Sequence, residues 1–216
     1  MPGPIFVLRV LNEMLHFHSI PEEVGQLLNS LSPNPALKPF ALGGGTSLAL
    51  RFGHRLSVDL DYFTESDFDL ESFTLEAAPQ NPPVVLGRTK GSLTLDWEGI
   101  KVEFLQHRYH LLEPIEQLDE LRLLSLADVT AMKLNAIVNC GSKKDFFDLV
   151  RILEEMSLDQ ALDLFARKYS NTDRFVAIRS LAWFEDAESE PQPVAPDGPT
   201  WSTVKSRITQ ELSKLS

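Results

Sequence analysis

Cysteine is almost missing from this sequence: Cys140 is the only one in 216 residues. A lone thiol excludes an internal disulfide, so burial alone must hold the fold, and the apolar helical pattern around Cys140 predicts a core thiol. No apolar run has the length of a membrane span. The first eighteen residues carry Arg9 within an apolar stretch but no small-residue cleavage site, which argues against a signal peptide and, with the thiol, for a cytoplasmic location. Cations are scarce as well. Lys and Arg number 20 against 31 Asp and Glu, a net charge of −11. That balance excludes broad adhesion to nucleic acid, which needs many phosphate-neutralising cations. It leaves room for a local basic groove, for which Arg51, His54 and Arg55, and Lys143, Lys144 and Arg151, are the candidates. Arg167 and Lys168 read as a solvated face. There is no internal repeat and no long low-complexity tract.

What is present is enough to bury a substantial core: 43% of residues are hydrophobic, which fits one domain or a catalytic lobe with a smaller appendage. Helical periodicity runs over Ile5–Leu15 and Pro21–Leu31. Phe40-Ala41-Leu42 reads as a short buried strand entering three glycines. Thr46–Phe52 reads as a helix ending at Gly53, and Ser57–Phe63 as a strand. Glu65–Asn81 is acidic and ambiguous. Val84–Thr89 and Ser92–Trp97 read as strands, and Glu98-Gly99 turns the second into Ile100–Gln106 as a hairpin. From Leu121 the pattern becomes helical, with helices over 128–139, 143–155, 158–168 and 173–184. An acidic, Pro-rich linker covers 185–199, and an amphipathic helix 201–215. The fold class is therefore α+β, a mixed-sheet lobe with N-terminal helices over 1–120 followed by a helical C-terminal lobe over 121–216.

The chemistry concentrates where the first glycines meet the next strand. Glycines at the end of a buried strand, followed at once by a helix, let a phosphate approach the backbone and face the helix N-terminus. Gly44, Gly45, Thr46 and Ser47 form such a segment; a plain tight turn is the alternative reading. In Ser57-Val58-Asp59-Leu60-Asp61-Tyr62-Phe63, the period of two puts Asp59 and Asp61 on one face and Val58, Leu60 and Tyr62 on the other. Two carboxylates side by side repel unless a cation sits between them, and hard oxygens so grouped suit Mg²⁺. Two solvated acids on an exposed edge are the alternative.

Glu103, flanked by Val102 and Phe104, is the candidate third carboxylate, able to ligate metal and assist an acceptor hydroxyl. Asp96 is a weaker substitute, and a solvent-facing acid beside Lys101 the plainer reading. Lys133 falls inside the apolar stripe Val129, Met132, Ala136, Ile137 and Cys140, so its ammonium should face carboxylates or bound phosphate, unless it snorkels out. Asp145 and Asp148 share the inward side of the next helix. One is expected to pair with Lys133 and the other to orient a substrate group, with a purely structural ion-pair network as the rival.

Taken in order, three stretches resemble one family. Gly43 to Phe63, Ser125 to Ile137 and Lys143-Lys144-Asp145-Phe146-Phe147-Asp148-Leu149 are similar to motifs of the AbiEii/AbiGii-type nucleotidyltransferase toxins, within the DNA polymerase beta-like nucleotidyltransferase superfamily. The resemblance spans about Phe40 to Trp201. It implies that Asp59 and Asp61 bind metal, that Thr46 and Ser47 contact a triphosphate, and that Lys133, Asp145 and Asp148 belong to the same active cleft. It further implies a Mg²⁺-dependent enzyme of a bacterial toxin–antitoxin or phage-defence system. Such an enzyme moves a nucleoside monophosphate from an NTP to a tRNA 3′ end or similar RNA, with a cognate antitoxin as partner and no membrane role. A catalytically silent nucleotide-binding protein of the same fold and a small-molecule nucleotidyltransferase are the other readings.

Overall fold

Leu60, Tyr62, Leu93, Leu95, Val102 and Phe104 are all buried, and each alternates along its strand with a more exposed neighbour. That alternation makes a sheet with one face closed on a core. The computed structural model describes residues 15–68 and 82–215. The helix expected over Ile5–Leu15 lies outside them but for its last residue, and the ambiguous Glu65–Asn81 stretch from residue 69 on.

The chain divides into two units, the first comprising Met1–Gly53, Ser57–His110 and Pro114–Leu124, and the second His54–Leu56, Leu111–Glu113 and Ser125–Ser216. Among the described residues, the first α-helix of unit 1 is α1 (Glu22–Leu31), which Pro21 precedes at the N-cap. Then come β1 (Ala41–Leu42), α2 (Gly44–Phe52), β2 (Leu60–Thr64), β3 (Val84–Thr89), β4 (Ser92–Trp97), β5 (Ile100–Gln106), β6 (Glu116–Leu118) and β7 (Leu121–Leu123). The seven strands form one sheet in the order β3-β4-β5-β2-β1-β7-β6. It is mixed: β2 runs parallel to β5 and β1 parallel to β7, while the other neighbours are antiparallel. The β4–β5 turn is made by Glu98 and Gly99, both with positive φ (56° and 85°), the backbone that matches the twist of a two-residue hairpin. The unit's core joins α1, Phe40, Leu42, Leu50 and the closed face of the sheet.

Unit 2 contains α3 (Leu126–Cys140), α4 (Lys143–Ile152), α5 (Leu158–Lys168), α6 (Arg174–Leu181), the short α7 (Glu185–Glu188) and α8 (Trp201–Ser213). It has its own core, in which Phe146, Phe165, Leu134, Leu149, Leu162 and Ile208 are almost fully enclosed. Phe146 and Phe147 meet Trp201 of α8, and Phe147 stacks on its indole. Among the described residues no helix is long and apolar enough to cross a membrane.

Four expectations are corrected. Helix does not begin at Leu121: Leu121–Leu123 is a strand, drawn into the sheet by β1 and β6, and helix starts at Leu126 behind the Ser125 cap. The strand after the glycines starts at Leu60 rather than Ser57, so Val58 lies before it and is exposed. Cys140 is exposed, because it ends its helix next to Gly141 and the core stripe stops at Ile137. Lys168 lies on no solvated face: its side chain is 0% exposed and its ammonium is 2.6 Å from Asp128 Oδ1.

Candidate active site

In unit 1 the carboxylates come together through strand register. Asp61 on β2 stands directly opposite Glu103 on the parallel neighbour β5, and Thr94 on β4 opposite Glu103 on its other side. Asp59, two residues before Asp61, is likewise partly exposed while Leu60 and Tyr62 between and beyond them are buried. Asp61 and Glu103 therefore border one open face, and Asp59 lies just before the strand. Glu103 is already engaged at both oxygens: Thr94 Oγ1 donates to Oε1 at 3.0 Å, and Lys101 Nζ lies 3.0 Å from Oε2. Partial burial works against the Lys101 charge. The hydrogen bond and charge of Glu103, joined by the charges of Asp59 and Asp61, outweigh it and hold the Lys101 pKa above its usual value.

Asp61 also meets the glycine segment. Gly44 has φ +61°, and a Cβ built there would lie 2.3 Å from Asp61 Oδ2. Only glycine permits both that backbone and that approach. The carboxylate is thus set against the first turn of α2, whose leading N–H groups lack intrahelical partners and carry positive partial charge. The two hydroxyls of this turn serve the fold in this state. Thr46, buried, bonds through Oγ1 to the Asp59 carbonyl and to Ser57 Oγ, and Ser47 Oγ donates to the Gly44 carbonyl at 3.0 Å. Thr46 thereby ties the helix to the strand at the very residue that bears the first carboxylate.

No three His, Cys, Asp or Glu side chains among the described residues converge as they stand to hold a metal ion. That is compatible with Mg²⁺ chemistry, because Mg²⁺ is typically held by one or two carboxylates together with waters and substrate phosphates and not by an all-protein cage. Asp61 brings hard oxygens to the glycine-lined turn, where the missing Cβ of Gly44 gives it its place, and Asp59 lies two residues before it. The donor set fits such a cation.

Unit 2 holds a second charge cluster. Lys133 is buried on α3, and its Nζ lies 2.8 Å from Asp145 Oδ1 and 2.9 Å from Asp148 Oδ2. Arg55 grips Asp148 with two bonds, Nε to Oδ1 at 2.7 Å and Nη2 to Oδ2 at 2.8 Å, and His54 Nε2 is 2.7 Å from Oδ1. Asp145 uses its other oxygen on the Ser142 N–H and Oγ at the start of α4. Burial penalises the Asp148 charge, yet Lys133 and Arg55 hold its pKa far below the carboxylate range. Burial likewise opposes the Lys133 charge, and the two aspartates raise its pKa nonetheless.

The sequence placed Lys133 inward correctly, but both aspartates pair with it. Neither stands apart to orient a substrate. Nor do Arg51, His54 and Arg55 form one basic groove. Arg51 bonds to the Leu124 carbonyl and to Glu116 in unit 1, whereas Arg55 is buried on Asp148. Lys143 is drawn in as well, bonding to the Glu188 and Glu190 carbonyls and lying over the Trp201 ring.

Asp128 was missed as a key residue. Its buried carboxylate takes Lys168, Ser125 Oγ at 2.6 Å and the Leu112 N–H at 3.0 Å, and its pKa is lowered because these partners together outweigh its desolvation. The Ser125-x-x-Asp128 spacing carried that signal in cap form.

Comparison with known proteins identifies the family through one family model. The family described as nucleotidyl transferase AbiEii toxin, type IV TA system, matches residues 26–214. An uncharacterized protein of Aquifex aeolicus (strain VF5) is 37% identical over 157 residues, covering 70% of this chain and 76% of the relative. Among solved structures, MenT4, a nucleotidyltransferase toxin of Mycobacterium tuberculosis H37Rv, is 17% identical, matching 100% of this chain and 91% of its own with a TM-score of 0.56. JHP933 from Helicobacter pylori is 18% identical, with 91% and 98% covered and a TM-score of 0.50. At such identities the structural likenesses speak to the fold.

Proposed function

As a member of the AbiEii nucleotidyltransferase toxin family, the chain is a nucleotidyltransferase, and we propose that it moves a nucleoside monophosphate from an NTP onto an RNA hydroxyl, at a tRNA 3′ end, with Mg²⁺. The acceptor oxygen attacks the α-phosphorus, the bond from that phosphorus to the β-phosphate oxygen breaks, and pyrophosphate leaves. Asp59, Asp61 and Glu103 would hold the divalent cation, which supplies charge neutralisation for the phosphates. The N–H groups of Gly44, Gly45 and Thr46 are suited to receive the triphosphate, while that of Ser47 bonds to the Gly43 carbonyl. Glu103 would also assist the acceptor hydroxyl. The observation that carries this reading is the approach of Asp61 to Gly44, which sets a carboxylate and a helix N-terminus on one spot.

Lys133, Asp145 and Asp148 have a positioning role in this reading. Asp148 holds Arg55 by two bonds, and Lys133 in turn bridges Asp148 and Asp145. The type IV toxin–antitoxin description of the family supports a cognate antitoxin as partner. The assay is transfer of label from α-labelled NTPs to total RNA. Asp59→Asn and Asp61→Asn each should lower transfer at least about a thousandfold, the scale on which enzymes lose rate when charge stabilisation at the reacting phosphate goes, with thermal unfolding close to wild type. Transfer retained in both variants would sink the assignment.

A further inference from the structure

Lys101 is the feature of this face that no part of the reaction uses. It lies on β5, two residues before Glu103 and so on the same side of the sheet, with its side chain 46% exposed. Its ammonium sits 3.0 Å from Glu103 Oε2. The opposite oxygen of Glu103 is held by Thr94, so the carboxylate is pinned between a hydroxyl and a cation. Glu103 stands in register with Asp61, and the charges of Asp59 and Asp61 both reach Lys101. Three carboxylates thus bear on one tethered ammonium.

We propose that Lys101 is a resident counter-cation of the carboxylate face, which competes with the divalent metal and sets its affinity, swinging away when the metal arrives. The inference rests on the metal reading of Asp59 and Asp61 given above. Like charges in register on neighbouring strands repel, and the ammonium 3.0 Å from Glu103 offsets that repulsion. A flexible four-carbon stem suits a group that must hold that place and then yield it. Both cations draw on the same negative field. Occupancy by one therefore weakens the other, and the free protein keeps the face assembled without binding metal tightly.

The test is titration of Mn²⁺ into the full chain, followed by calorimetry and by the loss of free Mn²⁺ paramagnetic signal. Removing a competing unit positive charge from the surroundings of a divalent ion in a watery setting is worth roughly tenfold in affinity. Lys101→Gln should accordingly bind Mn²⁺ roughly tenfold more tightly than wild type, and Lys101→Arg should bind like wild type. Lys214→Gln, which changes the net charge equally at an exposed site, should leave affinity unchanged. Equal or weaker binding in Lys101→Gln, with a native unfolding profile, overturns the proposal. Asp61→Asn separates the two levels. If it does not weaken Mn²⁺ binding, the metal reading itself fails, and the role of Lys101 fails with it.

Discussion

The two charge clusters of this protein are built from the same residue types and are balanced differently. In unit 2, Asp145 and Asp148 face Lys133 and Arg55, two acids to two permanent cations, all buried. In unit 1, three partly exposed acids bear on one ammonium, itself half in solvent. A buried cluster has to be neutral, because desolvating an uncompensated charge costs several kcal/mol. An open one can keep excess charge, because water screens it. The first arrangement is a framework. The second holds a surplus of negative charge, on which the divalent cation of the proposed reaction would draw.

The comparison breaks most visibly if the balanced cluster is unbalanced. Lys133→Met or Asp148→Asn should each destabilise the protein by about 3–5 kcal/mol, the cost of stranding a buried partner, read as a fall in denaturant midpoint. A loss below about 1 kcal/mol in both would show that the cluster is no framework.

Next comes acid. Asp148 and Asp128 have folded pKa values depressed below their unfolded ones. Their contribution is therefore present above the unfolded carboxylate pKa near 4 and is lost as pH falls through the lower folded values. Stability should be flat from neutrality to about pH 5 and then drop steeply, and Asp148→Asn should flatten that drop. An unchanged acid limb in the variant would refute the link.

The smallest effect concerns the open cluster. Gly44→Ala should cost about 1–2 kcal/mol, since alanine at φ +61° is strained. Its new Cβ displaces Asp61, so Mn²⁺ binding should fall far more than stability does. A variant that keeps wild-type Mn²⁺ affinity would separate Gly44 from the site.

Much of this was legible in the chain. Alternation over 92–106 predicted β4, β5 and the Glu98-Gly99 hairpin, because both strands are long and close one face on the core. The longer helices of unit 2 were legible from 3.6-residue periodicity and from caps such as Ser157 with Gln160, whereas the short α7 falls within the stretch read as a linker. The alternation put Asp61 and Glu103 on the open face, and the strands bring them into register, whereas Asp59 lies before β2 and outside its pleat. The short strands β6 and β7 were not, since three residues carry too little pattern and exist only because β1 offers an edge to pair with.

What the sequence decided alone was local: periodicity, turns, and glycines where no side chain fits, all set by neighbours a few residues away. Which charges meet was decided only by the tertiary structure. Arg55 reaches Asp148 across 93 positions and Lys168 reaches Asp128 across 40. A basic residue bound for a buried partner looks in sequence like one bound for solvent. Coulomb attraction depends on distance in space, and chain separation does not encode it.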